Sequence, residues 1–346
     1  KWLYKTADET LIVTNLSSSN ESAIQLSVES TSGQPYEYLV TNQMTLNSRE
    51  YQTPIWYEEK ADGVYFTFDE HTAAHEKLPN LTYRFSIKEA DYTVVGEEVF
   101  LEGVGEGTAN LVNFKIAETE RFELLMQGSL KGESFPDVKL SFAEEVIAFH
   151  QFFETMSNGL EWSGPDAVEK LSEKMNLTTW WYTHNMLVHY LVPHGLEQFG
   201  GAAWGTRDVS QGPSEYLLAM QKYDSLKEVV KRVYGHQHVQ DGNWPQWFMF
   251  DSYTHVQADE SHGDVIVWPL KMLSDYIEAT NDVSILDVEV PYFDKTTKER
   301  TAQTASIRDH VQKQIDYIQS HFLWDTFLSS YGDGDWDDTL QPHDQS

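Results

Sequence analysis

The chain has 346 residues with 40% hydrophobic and 13% aromatic content, enough to build more than one packed core and unlike a disordered segment. Its 24 Lys plus Arg stand against 55 Asp plus Glu, a formal charge of -31, and a field of that sign repels nucleic-acid backbones and anionic membrane surfaces alike. With no cysteine there are no disulfides and no thiolate chemistry. No apolar run reaches the roughly 18 residues of a membrane span, and the start, KWLYKTADET, has no signal-peptide core, so the sequence reads as cytoplasmic. Eleven Trp, 18 Tyr and 17 Phe beside so many carboxylates suit a neutral polyhydroxylated ligand, because aromatic faces stack on sugar C–H surfaces while Asp and Glu accept hydroxyl hydrogen bonds.

In chain order, residues 1–142 are short β-rich runs divided by turn signals, as in TLIVTNLSSSNESAIQLSVES and DGVYFTFDE, and they predict an antiparallel sandwich-like domain. Around Ala143 the character changes. AEEVIAFHQFFETM and DAVEKLSEKMNL predict helices joined by SNGLEWSGP, which places a helical linker at 143–180. From 181 to 346 the pattern predicts paired helices. Gly212 and Pro213 open PSEYLLAMQKY, Asp224 is expected to cap SLKEVVKRVY, and Gly235 stands just past its end. Pro269 predicts a kink near the start of GDVIVWPLKMLSDYIEAT, and ASIRDHVQKQIDYIQSHF aligns Ile307, Val311, Ile315 and Ile318 on one face.

The helix connections are unequal. The link at Tyr223–Asp224 is tight, whereas 235–263 and 323–341 are long and loaded with Asp, Trp and His. If the helices alternate in direction, the connections before Pro213, before Asp264 and at Asp338 emerge at one end. Long loops inside compact domains are usually functional.

In SSYGDGDWDDTLQP, residues 329–342, four aspartates surround Trp336. Asp333, Asp335 and Asp337 match positions 1, 3 and 5 of an EF-hand, but position 6 is Asp338 instead of Gly and position 12 is Asp344 instead of Glu. A solvated acidic loop and another cation site are the other plain readings. The remaining one is a catalytic carboxylic acid, its proton held by neighbouring negative charge and partial burial. In FGGAAWGTRDVSQGP, residues 199–213, adjacent Arg207 and Asp208 offer a donor fork beside an acceptor, suited to neighbouring sugar hydroxyls, or an ordinary ion pair. His184, His189 and His194 recur every five residues, off the i, i+4 spacing of a zinc site, and read as structural. His236 and His238 have the spacing to chelate but lack a convincing third ligand, and read as loop histidines.

GTRDVSQ at a helix start, DGNWPQWF, SHGDVIVWPLKMLSDYIEATND and YGDGDWDD, in that order, resemble the catalytic domain of the cellobiose phosphorylase family of inverting β-glycoside phosphorylases. GAAWGTRD, SHGDVIVWPL and GDGDWDDTL look most like its 1,2-β-oligoglucan (sophoro-oligosaccharide) phosphorylase branch. The resemblance covers residues 143–346, and the β-rich part fits the family's N-terminal sandwich in kind. It implies a multidomain α and β fold: a sandwich, linker helices, and in 181–346 the first part of an (α/α)6 toroid. The chain is then expected to be truncated, nicked or split, with the phosphate ligands in a second half.

Carried over residue by residue, the resemblance implies that Asp338 is the general acid, that Trp336 lies at the donor-sugar subsite, and that Arg207 and Asp208 grip the nonreducing glucose. Trp204, Trp247, Asp264 and Asp335, within the matched motifs, are the other expected substrate contacts. Asp337 replaces the family's usual Asn, and Ala202 stands where cellobiose phosphorylases have Arg, which turns the expectation from cellobiose toward β-1,2 linkages. The implied reaction is phosphorolysis of a β-linked gluco-oligosaccharide to α-glucose 1-phosphate and a shortened glucan. Phosphate is the co-substrate, and neither metal nor organic cofactor is called for. The expected partners are the oligosaccharide, phosphate, and the remaining C-terminal half or a homodimer mate. The alternatives are an inverting hydrolase on the same toroid and a non-catalytic carbohydrate-binding fragment.

Overall fold

The structure is a computed structural model that describes residues 1–43, 55–68, 70–71, 75, 78–100, 111–132, 135–190, 203–258, 261 and 263–330. The chain divides into two compact units, Lys1–Phe152 and Phe153–Ser346.

The first unit is built on two antiparallel sheets. Its strands are β1 (Trp2–Lys5), β2 (Thr10–Ser17), β3 (Ala23–Ser30), β4 (Tyr36–Gln43), β5 (Ile55–Lys60), β6 (Gly63–Phe68), β7 (Thr82–Lys88), β8 (Tyr92–Val95), β9 (Leu111–Thr119) and β10 (Arg121–Ser129). One sheet runs β1-β2-β3-β10-β7-β6-β5 and the other β4-β9-β8. Alternation along each strand sends one set of side chains inward. Val28, Phe66, Phe85 and Phe122 from the larger sheet meet Phe114 and Ile116 of β9 in one core. Phe85 stacks on Phe114 with centroids 5.5 Å apart, and Tyr38 packs on Phe122 at 5.2 Å, so aromatic pairs hold the layers together. Helix α1 (Phe142–Met156) is tethered to this unit through Glu145. Its carboxylate accepts from the Ser19 N–H at 2.9 Å and hydroxyl at 2.8 Å and from the Ser18 hydroxyl at 3.1 Å. These bonds, the Ser19 N–H foremost, hold the Glu145 pKa below the usual carboxylate range.

Among its described residues the second unit is mainly helical, with two small sheets, β11-β12-β13 and β14-β15. In chain order it contains α2 (Glu169–Tyr190), β11 (Trp204–Gly205), α3 (Thr206–Ser210), α4 (Gly212–Ala219), α5 (Tyr223–Tyr234), β12 (Trp247–Phe248), β13 (Gln257–Ala258), α6 (Trp268–Thr280), β14 (Glu289–Asp294), β15 (Glu299–Ser306) and α7 (Ile307–Ser320). Leu226, Val229, Val230, Val233 and Tyr234 of α5 fall on one stripe and are all buried, so the helix forms because that stripe enters the core. Met272, Leu273 and Tyr276 of α6 meet it there. At the rim, Asp282 accepts from Lys227 of α5 at 2.8 Å and from the Tyr276 hydroxyl at 2.8 Å, and these bonds, led by the Lys227 ammonium, hold its pKa well below normal.

Four expectations change. Asp224 lies in the first turn of α5, not at its cap, where Lys222 stands. Pro269 is the second residue of α6 instead of a kink within it, because a 3-10 turn at Val265–Val267 ends just before Trp268 and a proline in the first turn loses no helical hydrogen bond. Residues 289–306 form the antiparallel hairpin β14–β15 where only helices were expected, and α7 starts at Ile307, capped by the Ser306 hydroxyl, which accepts from the Asp309 N–H at 3.2 Å. The buried face of α7 also includes His310 and Gln314. His310 bonds Gln237 Oε1 at 2.7 Å, and Gln314 accepts from the Tyr234 hydroxyl at 3.3 Å, so these two polar side chains find partners inside the core. Among the described residues, no helix is long and apolar enough to cross a membrane.

Candidate functional site

The segment from Ala203 to Pro213 builds the site from its backbone outward. Trp204 and Gly205 pair with Phe248 and Trp247, which pair in turn with Gln257 and Ala258, so three two-residue strands make a small sheet. The Thr206 N–H extends the pairing with a 2.9 Å bond to the Gln246 carbonyl. Because side chains alternate, Trp204, Phe248 and Gln257 share one face and Gly205, Trp247 and Ala258 the other.

The first face belongs to the core. Trp204 is 5% exposed, with Phe248 at 6.2 Å and Phe250 at 4.7 Å, and the Arg232 guanidinium lies 5.9 Å from its ring. Trp204 is therefore a packing residue, and its expected role as a substrate contact is corrected to one of supporting the sheet from below. Trp247, partly exposed, lies on the opposite face between a glycine and an alanine, so its cross-strand neighbours leave the indole uncrowded.

Asp208 shares that face. A Cβ built on Gly205 would collide with the Asp208 carboxylate, so the carboxylate occupies the space that a side chain at 205 would take, directly across from Trp247. Arg207 turns elsewhere. Its Nη1 is 3.3 Å from Asp264 Oδ2, its Nε donates to Gln211 Oε1 at 3.0 Å, and its guanidinium lies 5.4 Å from the Trp268 ring centroid. The Trp268 indole N–H also donates to Asp264 Oδ2, at 3.1 Å. Arg207 is thus paired with the carboxylate at the head of α6 and not with its chain neighbour Asp208.

From two of the three loops expected to converge, the structure joins Arg207 to Asp264 and, at the next residue in the chain, sets the Asp208 carboxylate on the face that carries Trp247. A guanidinium–carboxylate pair, and a carboxylate facing an indole, are groups that can recognise the hydroxyls and C–H face of a sugar. Asp335, Trp336, Asp337 and Asp338 of the third loop lie outside the described residues, as does Ala202. Gln211 and Trp268 were not anticipated. Their signal was the i, i+4 spacing from Arg207 and from Asp264, which sets side chains one above another at a helix start.

His236 and His238, two residues apart, are both core residues. His236 is fully buried, stacks on Phe248 at 3.9 Å, and shares a 2.8 Å hydrogen bond with the Arg232 carbonyl, and burial pushes its pKa down to about 3. His238 is buried beside Gln257, its Nε2 3.2 Å from the amide nitrogen. His184 stacks near Phe153 at 6.4 Å, while the side chain of His189 and all of His194 lie outside the described set. Among the described residues, no group of three or more His, Cys, Asp or Glu could hold a metal ion.

Comparison with known proteins agrees with the motifs. Residues 1–128 match the glycoside phosphorylase supersandwich domain. The resemblance to glycoside phosphorylases is thereby shown, and it extends well beyond that domain. The chain is 40% identical over 344 residues to a 1,2-beta-oligoglucan phosphorylase of Listeria innocua serovar 6a, covering 99% of this chain and 31% of that protein. It therefore spans about a third of the length of the curated relative it matches. A solved bacterial glucoamylase complexed with acarbose aligns over 91% of this chain and 55% of its own at 9% identity and a TM-score of 0.39, too distant a likeness to carry an argument.

Proposed function

We propose that the protein acts in the inverting phosphorolysis of β-1,2-linked gluco-oligosaccharides, yielding α-glucose 1-phosphate and a shortened glucan. The observation that carries this reading is the 40% identity to the Listeria innocua enzyme across nearly the whole chain. The grouping of Arg207, Asp208, Trp247 and Asp264 supports it as a sugar subsite. In this reading Arg207, Asp208 and Asp264 hold the hydroxyls of the nonreducing glucose, and Trp247 and Trp336 offer it aromatic faces. Asp338 protonates the glycosidic oxygen while phosphate attacks the anomeric carbon from the opposite side. Phosphate is already an anionic nucleophile, so the second carboxylate that an inverting hydrolase needs to activate water is dispensable. Asp335 is a further contact to the substrate. Residues 1–142 serve as the sandwich domain, 143–180 as its helical linker and 181–346 as the first part of an (α/α)6 barrel, in a cytoplasmic enzyme without cofactor.

The test follows α-glucose 1-phosphate release from sophoro-oligosaccharides, using the chain alone and with the remainder of the Listeria innocua enzyme supplied in trans. Turnover should require phosphate, and Asp338→Asn should lower it roughly 10²- to 10⁴-fold, as for loss of a general acid, while glucan binding survives. Asp333→Asn should cost little. Equal cleavage without phosphate, giving free glucose, would establish a hydrolase instead. Binding without turnover in both settings would establish a carbohydrate-binding module, and rapid cellobiose synthesis from glucose would overturn the β-1,2 assignment.

A further inference from the structure

Asp264 sits immediately before the 3-10 turn Val265–Val267, and the first residue of α6, Trp268, follows four positions later. One helical turn therefore brings the indole over the carboxylate, and the indole N–H donates to Asp264 Oδ2 at 3.1 Å. The same oxygen is 3.3 Å from Arg207 Nη1, and the Arg207 guanidinium is 5.4 Å from the Trp268 ring centroid. Each of the three side chains thus touches the other two, and the contacts differ in kind: an ion pair, a charge-assisted hydrogen bond and a cation–π contact. Gln211 secures the far side of Arg207 through the 3.0 Å bond from Nε.

An ion pair between two partly exposed side chains fixes little by itself, because both can rotate away into water. Here Arg207 is 27% and Asp264 40% exposed in their side chains, so the pair needs a third member to hold its geometry. Trp268 is suited to that part: Pro269, next to it in the chain, and Val265, one turn back, are buried, and its rigid ring restrains one partner through its face and the other through its edge. We propose that Trp268 is the positioning residue of this site, its N–H fixing the Asp264 carboxylate and its ring carrying the Arg207 guanidinium, so that acceptor and donor meet adjacent hydroxyls of a glucosyl unit already aligned. This rests on the reading of Arg207 and Asp264 as sugar contacts. A group held in its binding geometry beforehand loses less freedom when the ligand arrives, so the effect is on affinity.

Trp268→Phe separates the two contacts, because it keeps a ring face for Arg207 and removes the N–H. Calorimetric titration of the chain with sophorose and longer β-1,2-glucans should show Trp268→Phe weakening binding about tenfold, the order of one charge-assisted hydrogen bond. Asp264→Asn should weaken it comparably, and the double variant little further, with thermal midpoints close to wild type. Wild-type affinity in Trp268→Phe, or losses that multiply in the double variant, would overturn the proposal. A readout without ligand keeps it separate from the function assignment. In an indole ¹⁵N–¹H spectrum, the resonance that disappears in Trp268→Phe should move in Asp264→Asn and in Arg207→Lys. If the wild type binds no glucan, the sugar-site reading fails, and this spectrum alone decides whether Trp268 orders the pair: a resonance that moves in both variants supports it, one that stays in place overturns it.

Discussion

At position 205 an absent side chain sets the site. Gly205 has φ -61°, a conformation open to any residue, so space and not backbone freedom requires glycine there. Gly205→Ala should drive the Asp208 carboxylate away from Trp247 and weaken β-1,2-glucan binding about tenfold, the cost of one charged hydrogen bond, while the thermal midpoint changes little. Unchanged affinity in a titration would show that Asp208 does not meet the ligand. Burial acts in a different way on His310, whose pKa it pushes down to about 4, and on His236, at about 3. Unfolding would return both to about 6.5, so between these values the unfolded chain binds more protons than the folded one. Their contribution to stability is complete above pH 6.5 and is lost as the pH falls through that window, with a slope of up to about 2.7 kcal/mol per pH unit for the two groups together. Carboxylates take up protons mainly below about pH 4.5, so urea midpoints that fall between pH 6.5 and 5 report the histidines. Midpoints that stay level across that interval would show that these rings are not buried in neutral form.

Elements with a strong period were legible, and the others were not, for physical reasons. Residues 1–142 carry β-rich runs between turn signals, with a clean alternation in β4, and α5 puts five buried residues at helical spacing, so sequence alone placed a β-rich region and this helix. The hairpin β14–β15 gave no such signal. β15 reads ERTAQTAS with most positions exposed, and Pro291 interrupts β14 beside an irregularity in the pairing, so neither strand shows a clean alternation. The three strands of the site sheet are two residues each, too short for any period. Their register, fixed by pairing across more than forty residues, decides that Trp247 faces the site and Trp204 the core. Local sequence treats these two tryptophans alike. Arg207 and Asp208 stand out as a donor beside an acceptor in the sequence, but the partner of Arg207 was not legible, because Asp264 reaches it only once α3 and α6 are packed. Ile307, Val311 and Ile318 of α7 do face the core, but His310 and Gln314 were not legible there, because they are polar by type and become core residues only through partners from other segments, Gln237 and Tyr234.

At the scale of the molecule, the two large hydrophobic clusters share no residue: one joins Phe66, Phe85 and Phe114 in the sandwich, the other Leu226, Val230 and Met272 in the helical unit. A cavity opened in one core is felt by the side chains that line it, so each cluster should set the stability of its own unit. Phe114 and Leu226 are both 0% exposed, and truncation at such positions costs about 3–5 kcal/mol for Phe→Ala and about 2–5 kcal/mol for Leu→Ala. Calorimetry of the 346-residue chain should therefore resolve two thermal transitions. Phe114→Ala should lower one by several degrees and leave the other in place, and Leu226→Ala should do the reverse. Far-ultraviolet circular dichroism assigns them, since the transition moved by Leu226→Ala should carry most of the helical signal. The same separation bears on function, because Arg207, Asp208, Trp247 and Asp264 all belong to the helical unit. Glucan should then raise only the Leu226-sensitive transition, by mass action on the folded form that binds it. A single transition lowered equally by both substitutions, or a ligand shift confined to the Phe114-sensitive transition, would mean that the sandwich and the sugar subsite are not thermodynamically separate.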